Sequence, residues 1–277
     1  MTMGSNWFAA VLSTAVLFPL HAALADSHCA DGKTLEDGVL TIATGNPAYF
    51  PWVMNNDPAS GEGFEAAVAY EVASRMGFAA DAVKWTSATF DQSIQPGPKD
   101  FDFNLQQFSI TDEREQVVDF SAPYYSAAMA VLTRKPVVDQ GAEASVESLK
   151  ALRWGIMAGT TALPMVQEIV APDEMPMLYD DNVNVTEAMK AGQIDVAIFD
   201  LPTALYLSAV VLDDGVVLGQ FPAERSENPD RFGLLMEEGS ALKACVDEAI
   251  AAMSADGTLA KIEAEWLQET TGVPVIE

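Results

Sequence analysis

The chain of 277 residues is poor in cysteine, histidine and positive charge. It has two cysteines and two histidines, too few for a zinc site of the ordinary Cys/His type. It has 14 lysines and arginines against 41 aspartates and glutamates, a net charge of −27. A field of that sign repels nucleic-acid phosphates and anionic membrane surfaces. We therefore expect no nucleic-acid partner, no metal and no cofactor.

Long apolar runs are also scarce, and the only one lies at the start, from Trp7 to Leu24. Later runs are too short to span a bilayer. The tripeptide Ala23-Leu24-Ala25 matches a signal peptidase site, so we expect residues 1–25 to be a signal peptide and the mature protein to be periplasmic. The first six residues carry no lysine or arginine, which departs from the pattern. A tail anchor or a wrongly assigned start is the alternative.

The two cysteines, Cys29 and Cys245, lie near opposite ends of the expected mature chain. In an oxidising compartment two cysteines most simply form one disulfide. Such a bond would join the mature N-terminus to a C-terminal helix. Two buried thiols are the alternative.

Short apolar segments alternate with helical periodicity along the chain. Residues 39–44 form a predicted strand that ends at Gly45-Asn46-Pro47, and apolar residues recur at helical spacing after Gly63. The same pattern repeats after Pro136, while residues 221–231 are polar and predict a surface connection. Short strands separated by helices indicate an α/β fold, in which ligands bind beyond the carboxyl ends of the strands.

Two polar segments follow predicted strands and suit an anion. Arg114 ends the segment that begins at Ser109, and its guanidinium fits a carboxylate with two parallel bonds. Gly159-Thr160-Thr161 offers two hydroxyls and free backbone N–H groups at a predicted helix start. The alternatives are a surface arginine paired with neighbouring acids, and ordinary helix capping.

A carboxylate and an aromatic cluster complete the set of candidates. Asp200 ends an apolar strand and can accept bonds from an ammonium group, or it can cap the helix that starts at Pro202. Tyr49 and Trp52 can cover an apolar or cationic group, or can pack in the core. Together these groups complement a free α-amino acid.

The order and spacing of six motifs resemble the extracellular solute-binding proteins of ABC amino-acid importers, the family 3 proteins. The resemblance covers about Leu35 to Leu267. The motifs are GFEAAVAYEVA (63–73), FDFNLQQFSITDER (101–114), VDFSAPYY (118–125), SLKALRWGIMAGTT (148–161), EAMKAGQIDVAIFD (187–200) and ADGTLAKIEAEW (255–266).

The resemblance implies a two-lobe Venus-flytrap fold of the second type of periplasmic binding protein. The first lobe would contain residues 26–126 and 233–277, and the second residues 127–232, with hinge strands near Ser126 and Phe232. The implied carboxylate ligands are Arg114, Ser109, Thr160 and Thr161; the implied ammonium ligands are Asp200 and the Gln107 backbone. The implied side-chain pocket contains Asn46, Tyr49, Trp52, Phe90, Gln106 and Met157.

The chain departs from the family pattern at the side-chain pocket. Asn46 stands where cationic amino-acid binders often place an acid, and Gln106-Gln107-Phe108 replaces the usual small residues before Ser109. We therefore expect a neutral polar or moderately apolar amino acid as ligand in preference to lysine or arginine. The alternative is an acidic group supplied to the pocket by Glu62 or Glu65.

The resemblance also implies a binding protein and not an enzyme. Its expected partners are the amino acid and the permease subunits of an ABC importer, and the protein is expected to be a monomer. A small-acid dehydratase on the same fold and a sensory ligand-binding partner are the alternatives.

Overall fold

Two five-stranded sheets with helices on their faces make up the two lobes of the molecule. The computed structural model describes Met1 and residues 29–221, 230–267 and 272–277. Apart from Met1, the expected signal peptide lies outside the described residues, so cleavage after Ala25 stays a prediction. The architecture confirms the predicted α/β class.

The sheet of the first lobe is mixed, because strands from both ends of the chain meet in it. Its strands are β1 (Leu40–Thr44), β2 (Val83–Ser87), β3 (Phe103–Asn104), β4 (Val118–Phe120) and β12 (Leu235–Glu237). They lie in the order β2-β1-β3-β12-β4, and β1 runs parallel to β2 and β3. The carboxyl ends of β1, β2 and β3 therefore face the same side, where the predicted site segments begin.

Helices cover the sheet of the first lobe and fill its core. They are α1 (Phe64–Arg75), α2 (Phe90–Ser93), α8 (Lys243–Ala255) and α9 (Thr258–Trp266). The apolar residues Phe64, Val68 and Val72 of α1 are fully buried, as their helical spacing predicts. Val246 and Met253 of α8 join the same core.

The strands of the second lobe all come from the middle of the chain. They are β6 (Met129–Arg134), β7 (Trp154–Met157), β8 (Met177–Tyr179), β9 (Val196–Asp200) and β10 (Gly215–Phe221), in the order β10-β6-β9-β7-β8. The helices are α3 (Lys135–Asp139), α4 (Val146–Lys150), α5 (Ala162–Ile169), α6 (Asn182–Lys190) and α7 (Leu201–Tyr206). Helix α7 continues into a π-helical turn, Leu207–Val211.

Two short strands connect the lobes. Strand β5 (Tyr125–Ala127) pairs antiparallel with β11 (Asp230–Phe232), and Phe232 lies opposite Tyr125. The expected hinge strands near Ser126 and Phe232 are this pair. The surface connection predicted to extend to Arg231 is wrong at its end, because pairing with β5 places Asp230 and Arg231 in a strand. Residues 222–229 lie outside the described residues.

The last residues of the chain pack on the second lobe, which corrects the expected boundary. Ile276 is buried in the second-lobe core, and Val275 bridges to Gln220 of β10. The backbone N–H of Val146 donates to the Glu277 carbonyl at 2.9 Å. Ile276 fills the space above the bare Cα of Gly219, where a Cβ would lie 2.7 Å from its side chain. The assignment of all residues from 233 to the first lobe is therefore wrong for this tail.

The two cysteines are neighbours, but both are free thiols, so the predicted disulfide is not formed in the structure. Cys245 is buried in α8, whereas Cys29 is exposed. Burial of its sulfur and a hydrogen bond with Cys245 raise the pKa of the Cys29 thiol to about 11. The thiol form of Cys29 therefore predominates at neutral pH. Oxidation to a disulfide stays a prediction.

In the described part of the chain, no helix combines the length and apolar character needed to cross a membrane.

Candidate functional site

A cavity of about 550 Å³ lies between the two lobes, and every residue predicted for the site lines it. The first lobe contributes Asn46, Tyr49, Trp52, Phe90, Gln106, Gln107, Ser109 and Arg114, and the second contributes Met157, Thr160, Thr161 and Asp200. These residues come from segments spread over more than half of the chain. The fold brings them together because parallel strands end at the same edge of each sheet.

Arg114 is the only basic residue that lines the cavity within the described part of the chain. It lies in a short 3-10 helix (Arg114–Gln116) and is 8% exposed. One terminal nitrogen donates to the Ser109 carbonyl at 2.7 Å, and the other donates across the cleft to the Gly159 carbonyl at 2.9 Å. The described bonds use two of its five N–H donors, so others are available to a carboxylate. The surface ion pair considered as its alternative is not formed among the described residues.

Burial lowers the pKa of the Arg114 guanidinium, and the negative charges of Asp230 and Glu113 partly offset that effect. The guanidinium carbon also lies 5.4 Å from the centre of the Phe90 ring. Arginine stays protonated under these conditions. The site therefore holds one fixed, largely dehydrated positive charge.

Two hydroxyls and a carboxylate lie near the guanidinium. The hydroxyl oxygens of Ser109 and Thr161 face each other across the lobes at 3.3 Å. The Thr161 hydroxyl lies 3.0 and 3.3 Å from the two carboxylate oxygens of Asp230, on the hinge strand β11. Thr160 instead donates to the Met157 carbonyl at 2.8 Å, which fixes the turn before α5. Thr161 precedes α5 without capping it through its side chain.

Asp200 contributes a negative charge to the cavity from the second lobe, whereas Arg114 contributes a positive charge from the first. It caps α7 by accepting bonds from the Thr203 backbone N–H and hydroxyl at 2.8 and 2.9 Å, with Pro202 in the first turn. The capping alternative is thus correct, and the same carboxylate also lines the cavity. Loss of contact with water raises the pKa of Asp200 to about 6. A cationic group that replaced this water would favour the carboxylate form.

Glu65 is a functional candidate that sequence reasoning left outside the predicted site. It lines the cavity at 1% exposure and accepts bonds from the Gln107 backbone N–H, at 2.8 Å, from the Gln107 amide and from the Tyr124 hydroxyl. Gln107 has a φ of 51°, which is uncommon for a residue other than glycine. Glu65 therefore fixes the loop whose backbone is expected to meet the ligand.

Burial raises the pKa of Glu65 to about 7, although the bonds from Tyr124 and Gln107 lower it in part. In the sequence, Glu65 follows Phe64 and belongs only to the first turn of the predicted helix. Only its contacts with residues 42 and 59 positions away reveal its role at the cleft.

The predicted side-chain pocket combines aromatic and amide walls. The Gln106 amide donates to the Ala88 carbonyl at 3.0 Å and to the Asn104 side chain at 3.1 Å, so its orientation is fixed. Phe90 stacks on Phe108 with ring centres 4.7 Å apart. Trp52 lines the cavity and also packs in the first-lobe core, where it is 1% exposed and its indole N–H donates to Thr203 of the other lobe at 2.8 Å.

Several contacts cross the cleft and hold the lobes in a closed arrangement. Arg114 and Trp52 each donate a hydrogen bond across the cleft. In addition, the ring centres of Phe50 and Tyr206 lie 4.8 Å apart. Gly159 lies so close to the first lobe that a Cβ there would be 2.6 Å from an Asp91 carboxylate oxygen. The cavity is therefore a site that closure of two lobes encloses.

The cavity is more acidic than the predicted residues indicate. Its lining contains six carboxylates, of which sequence reasoning had assigned only one to the site. They are Glu65, Asp91, Asp180, Asp181, Asp200 and Asp230. Asp180 and Asp181 follow β8, a strand that the sequence pattern did not reveal, and no signal in the sequence places them beside the first lobe.

Two lobes that enclose a cavity lined by one buried guanidinium and six carboxylates define the class of two-lobe ligand-binding proteins. Comparison with known proteins identifies the family. Residues 40–269 match the bacterial extracellular solute-binding proteins, family 3, and the chain belongs to that family.

The relatives bind amino acids. The L-cystine-binding protein TcyJ of Escherichia coli is 28% identical over 239 residues, which cover 84% of each chain. The histidine-binding periplasmic protein of Escherichia coli is 27% identical over 227 residues, covering 80% of this chain and 85% of that protein. An ancestral arginine-binding protein bound to arginine is similar in structure, with a TM-score of 0.67, 25% identity, and coverage of 83% and 98%. These matches confirm the predicted family and the Venus-flytrap fold.

Proposed function

We propose that this protein captures a free amino acid between its two lobes and delivers it to the permease subunits of an ABC importer. The proposal includes export to the periplasm after removal of residues 1–25. The observation that carries it is the placement of Arg114 and Asp200 in one interlobe cavity. A positive and a negative group that face the same enclosed space complement the carboxylate and ammonium of an α-amino acid.

In this proposal the first lobe binds the ligand first. Arg114 and Ser109 donate to the ligand carboxylate, and the Gln107 carbonyl, held in place by Glu65, accepts from the ammonium group. Thr161 and Asp200 of the second lobe then close on the same two groups. Ligand stabilises the closed form because only that form makes both sets of contacts.

The relatives support transport as the use of this binding. An arginine-binding protein of Escherichia coli is named as that of an ABC transporter, and a histidine-binding protein of the same species is named as periplasmic. We assign no reaction to the cleft. The neutral or polar side chain expected from Asn46 and Gln106 stays a prediction, and the acidic lining of the cavity counts against it.

A thermal-shift panel of the twenty amino acids tests the proposal. Ligand that binds only the folded state raises the melting temperature with concentration. We expect at least one amino acid to do so with the wild type. Arg114→Ala should weaken that ligand about 100-fold or more, because an enclosed carboxylate would lose its partner.

Arg153→Ala is the matched control, since this arginine pairs with Asp195 at an exposed site and does not line the cavity. It should leave the ligand-induced shift unchanged. Arg114→Lys keeps the positive charge and serves as a second test if the alanine variant does not fold. The proposal is wrong if no amino acid raises the melting temperature, or if folded Arg114→Ala responds like the wild type.

A further inference from the structure

The carboxylates of the cleft outnumber its positive charge six to one. Glu65 and Asp200 are enclosed and hydrogen-bonded within the protein, and Asp230 contacts Thr161 near Arg114. Even without Glu65 and Asp200, four carboxylates face one guanidinium. A zwitterion adds no net charge, so its binding leaves this imbalance in place.

Two of these carboxylates, those of Asp180 and Asp181, lie at the solvent-accessible wall that the second lobe contributes to the cavity. Asp180 and Asp181 connect β8 to α6 in the second lobe, and both line the cavity. Asp181 caps α6 by accepting a bond from the Asn184 backbone N–H at 2.7 Å. No lysine or arginine in the described part of the chain forms an ion pair with either carboxylate.

Tyr49 of the first lobe lines the same cavity as this pair. Its hydroxyl is close enough to the start of α6 to be influenced by the Val183 backbone N–H and by Asp181. Burial and the nearby negative charge of Asp181 raise the pKa of this hydroxyl to about 12. The aromatic face of Tyr49 and the carboxylate of Asp181 therefore bound the same part of the cavity. An aromatic face and a carboxylate are each favourable to an organic cation.

A bound metal ion is a less suitable counter-charge. Among the described residues, no three acidic, histidine or cysteine side chains are grouped so that they could hold a metal. The carboxylates are instead distributed around a cavity of about 550 Å³, with amide and aromatic walls between them. This distribution fits an extended ligand with a positive charge at each of two separated points.

We propose that the ligand is an amino acid with a cationic side chain, held at its charged end by Asp180 and Asp181 beside Tyr49. This inference rests on the proposed function. Cationic amino-acid binders often have an acidic residue at the position of Asn46 in the first lobe. In this protein the proposed acidic residues belong to the second lobe. The inference also replaces the neutral ligand expected from the sequence, because that expectation considered only the first-lobe wall.

Calorimetric titration with two matched ligand pairs tests the inference. Arginine and citrulline have nearly the same shape but differ in charge, as do lysine and norleucine. The wild type should bind arginine or lysine at least about tenfold more tightly than the matched neutral compound, as expected for one favourable charge interaction. In the double variant Asp180→Asn, Asp181→Asn, this ratio should fall to about threefold or less through weaker binding of the cation.

Asparagine caps a helix about as well as aspartate, so the double variant should keep α6. The double variant Asp173→Asn, Asp213→Asn is the charge-matched control, because both aspartates are exposed on the same lobe and neither lines the cavity. If the wild type binds citrulline and norleucine as tightly as arginine and lysine, or more tightly, this inference is wrong but the proposed function still stands. An unchanged ratio in the double variant of Asp180 and Asp181 would also overturn the inference. Absence of binding by every amino acid would overturn the proposed function, and this inference with it.

Discussion

Glu65 is the residue at which the fold and the site are most closely connected. It lies in the first turn of α1 in the first-lobe core, is 1% exposed, and fixes the Gln107 loop at the cleft. Its burial raises the pKa of the carboxyl group to about 7. Folding therefore makes this group easier to protonate than in the unfolded chain, where its pKa is near 4.5.

This shift predicts a pH dependence of stability. Because the folded state binds the proton more tightly, the contribution of Glu65 is fully present below about pH 4.5 and is lost as the pH rises through about 7. The loss is on the order of 3 kcal/mol. Glu65→Gln cannot ionise, so the melting temperature of the ligand-free variant should fall less between pH 5 and pH 8 than that of the wild type.

The wild type and the Glu65→Gln variant must be compared over the same pH range, because the net charge of −27 also makes the stability of both proteins depend on pH. Glu62→Gln changes an exposed carboxylate three positions earlier and should preserve the wild-type pH profile. A Glu65→Gln profile that runs parallel to the wild-type profile would show that this carboxyl is not the source.

At the residue scale, the sequence predicted the groups that stand in motifs. Arg114, Thr161 and Asp200 were predicted for the site, and all three line the cavity. Glu65 and Asp230 were not, because each acts through a partner far away in sequence: Gln107 is 42 positions from Glu65, and Thr161 is 69 positions from Asp230. Side-chain spacing within one segment carries no information on such pairs.

At the scale of elements, the start of α1 depends on one glycine. Gly63 precedes the helix with a φ of 105°, and a Cβ on it would lie 2.5 Å from the Trp52 carbonyl oxygen. The backbone N–H groups of Glu65 and Ala66 donate to the same carbonyl. The close contact between Gly63 and the Trp52 carbonyl therefore connects the segment that contains Trp52 to the start of α1.

Gly63→Ala should lower the free energy of unfolding by at least about 3 kcal/mol, because it combines a disfavoured φ with a clash against backbone. Denaturant unfolding measures this change. Gly97→Ala is the control, since Gly97 has a φ of 114° and nothing within 4 Å of its added methyl group. It should cost only about 1 kcal/mol. Equal effects of the two substitutions would refute the role of the close approach.

Elements with a strong apolar period were predictable, and short paired elements were not. The start of helix α1 after Gly63 and the end of strand β9 at Asp200 were predicted, since each element buries a regular set of apolar side chains. Strand β8 has only three residues, with Met177 and Leu178 exposed, so it shows no burial pattern. Strand β11 exists through pairing with β5, a partner about one hundred residues earlier in the chain.

At the scale of the whole molecule, the two lobes are linked by more than the hinge. The C-terminal tail starts from the first-lobe helices and ends on the second lobe, where Ile276 is buried. Trp52 and Arg114 each donate a hydrogen bond across the cleft. The relative placement of the lobes follows from these long-range contacts, which the sequence pattern does not contain. Family resemblance predicted the lobes, but not the tail contact.

The central claim is that this cleft holds both charged groups of a free amino acid, and one calorimetric titration tests it most directly. The amino acid that gives the largest thermal shift is compared with its methyl ester, which lacks the carboxylate, and its N-acetyl derivative, which lacks the ammonium charge. The account predicts binding of one free amino acid per chain and a loss of about 100-fold or more for each derivative, because Arg114 or Asp200 would lose its partner. Equal affinity for the amino acid and either derivative would contradict it.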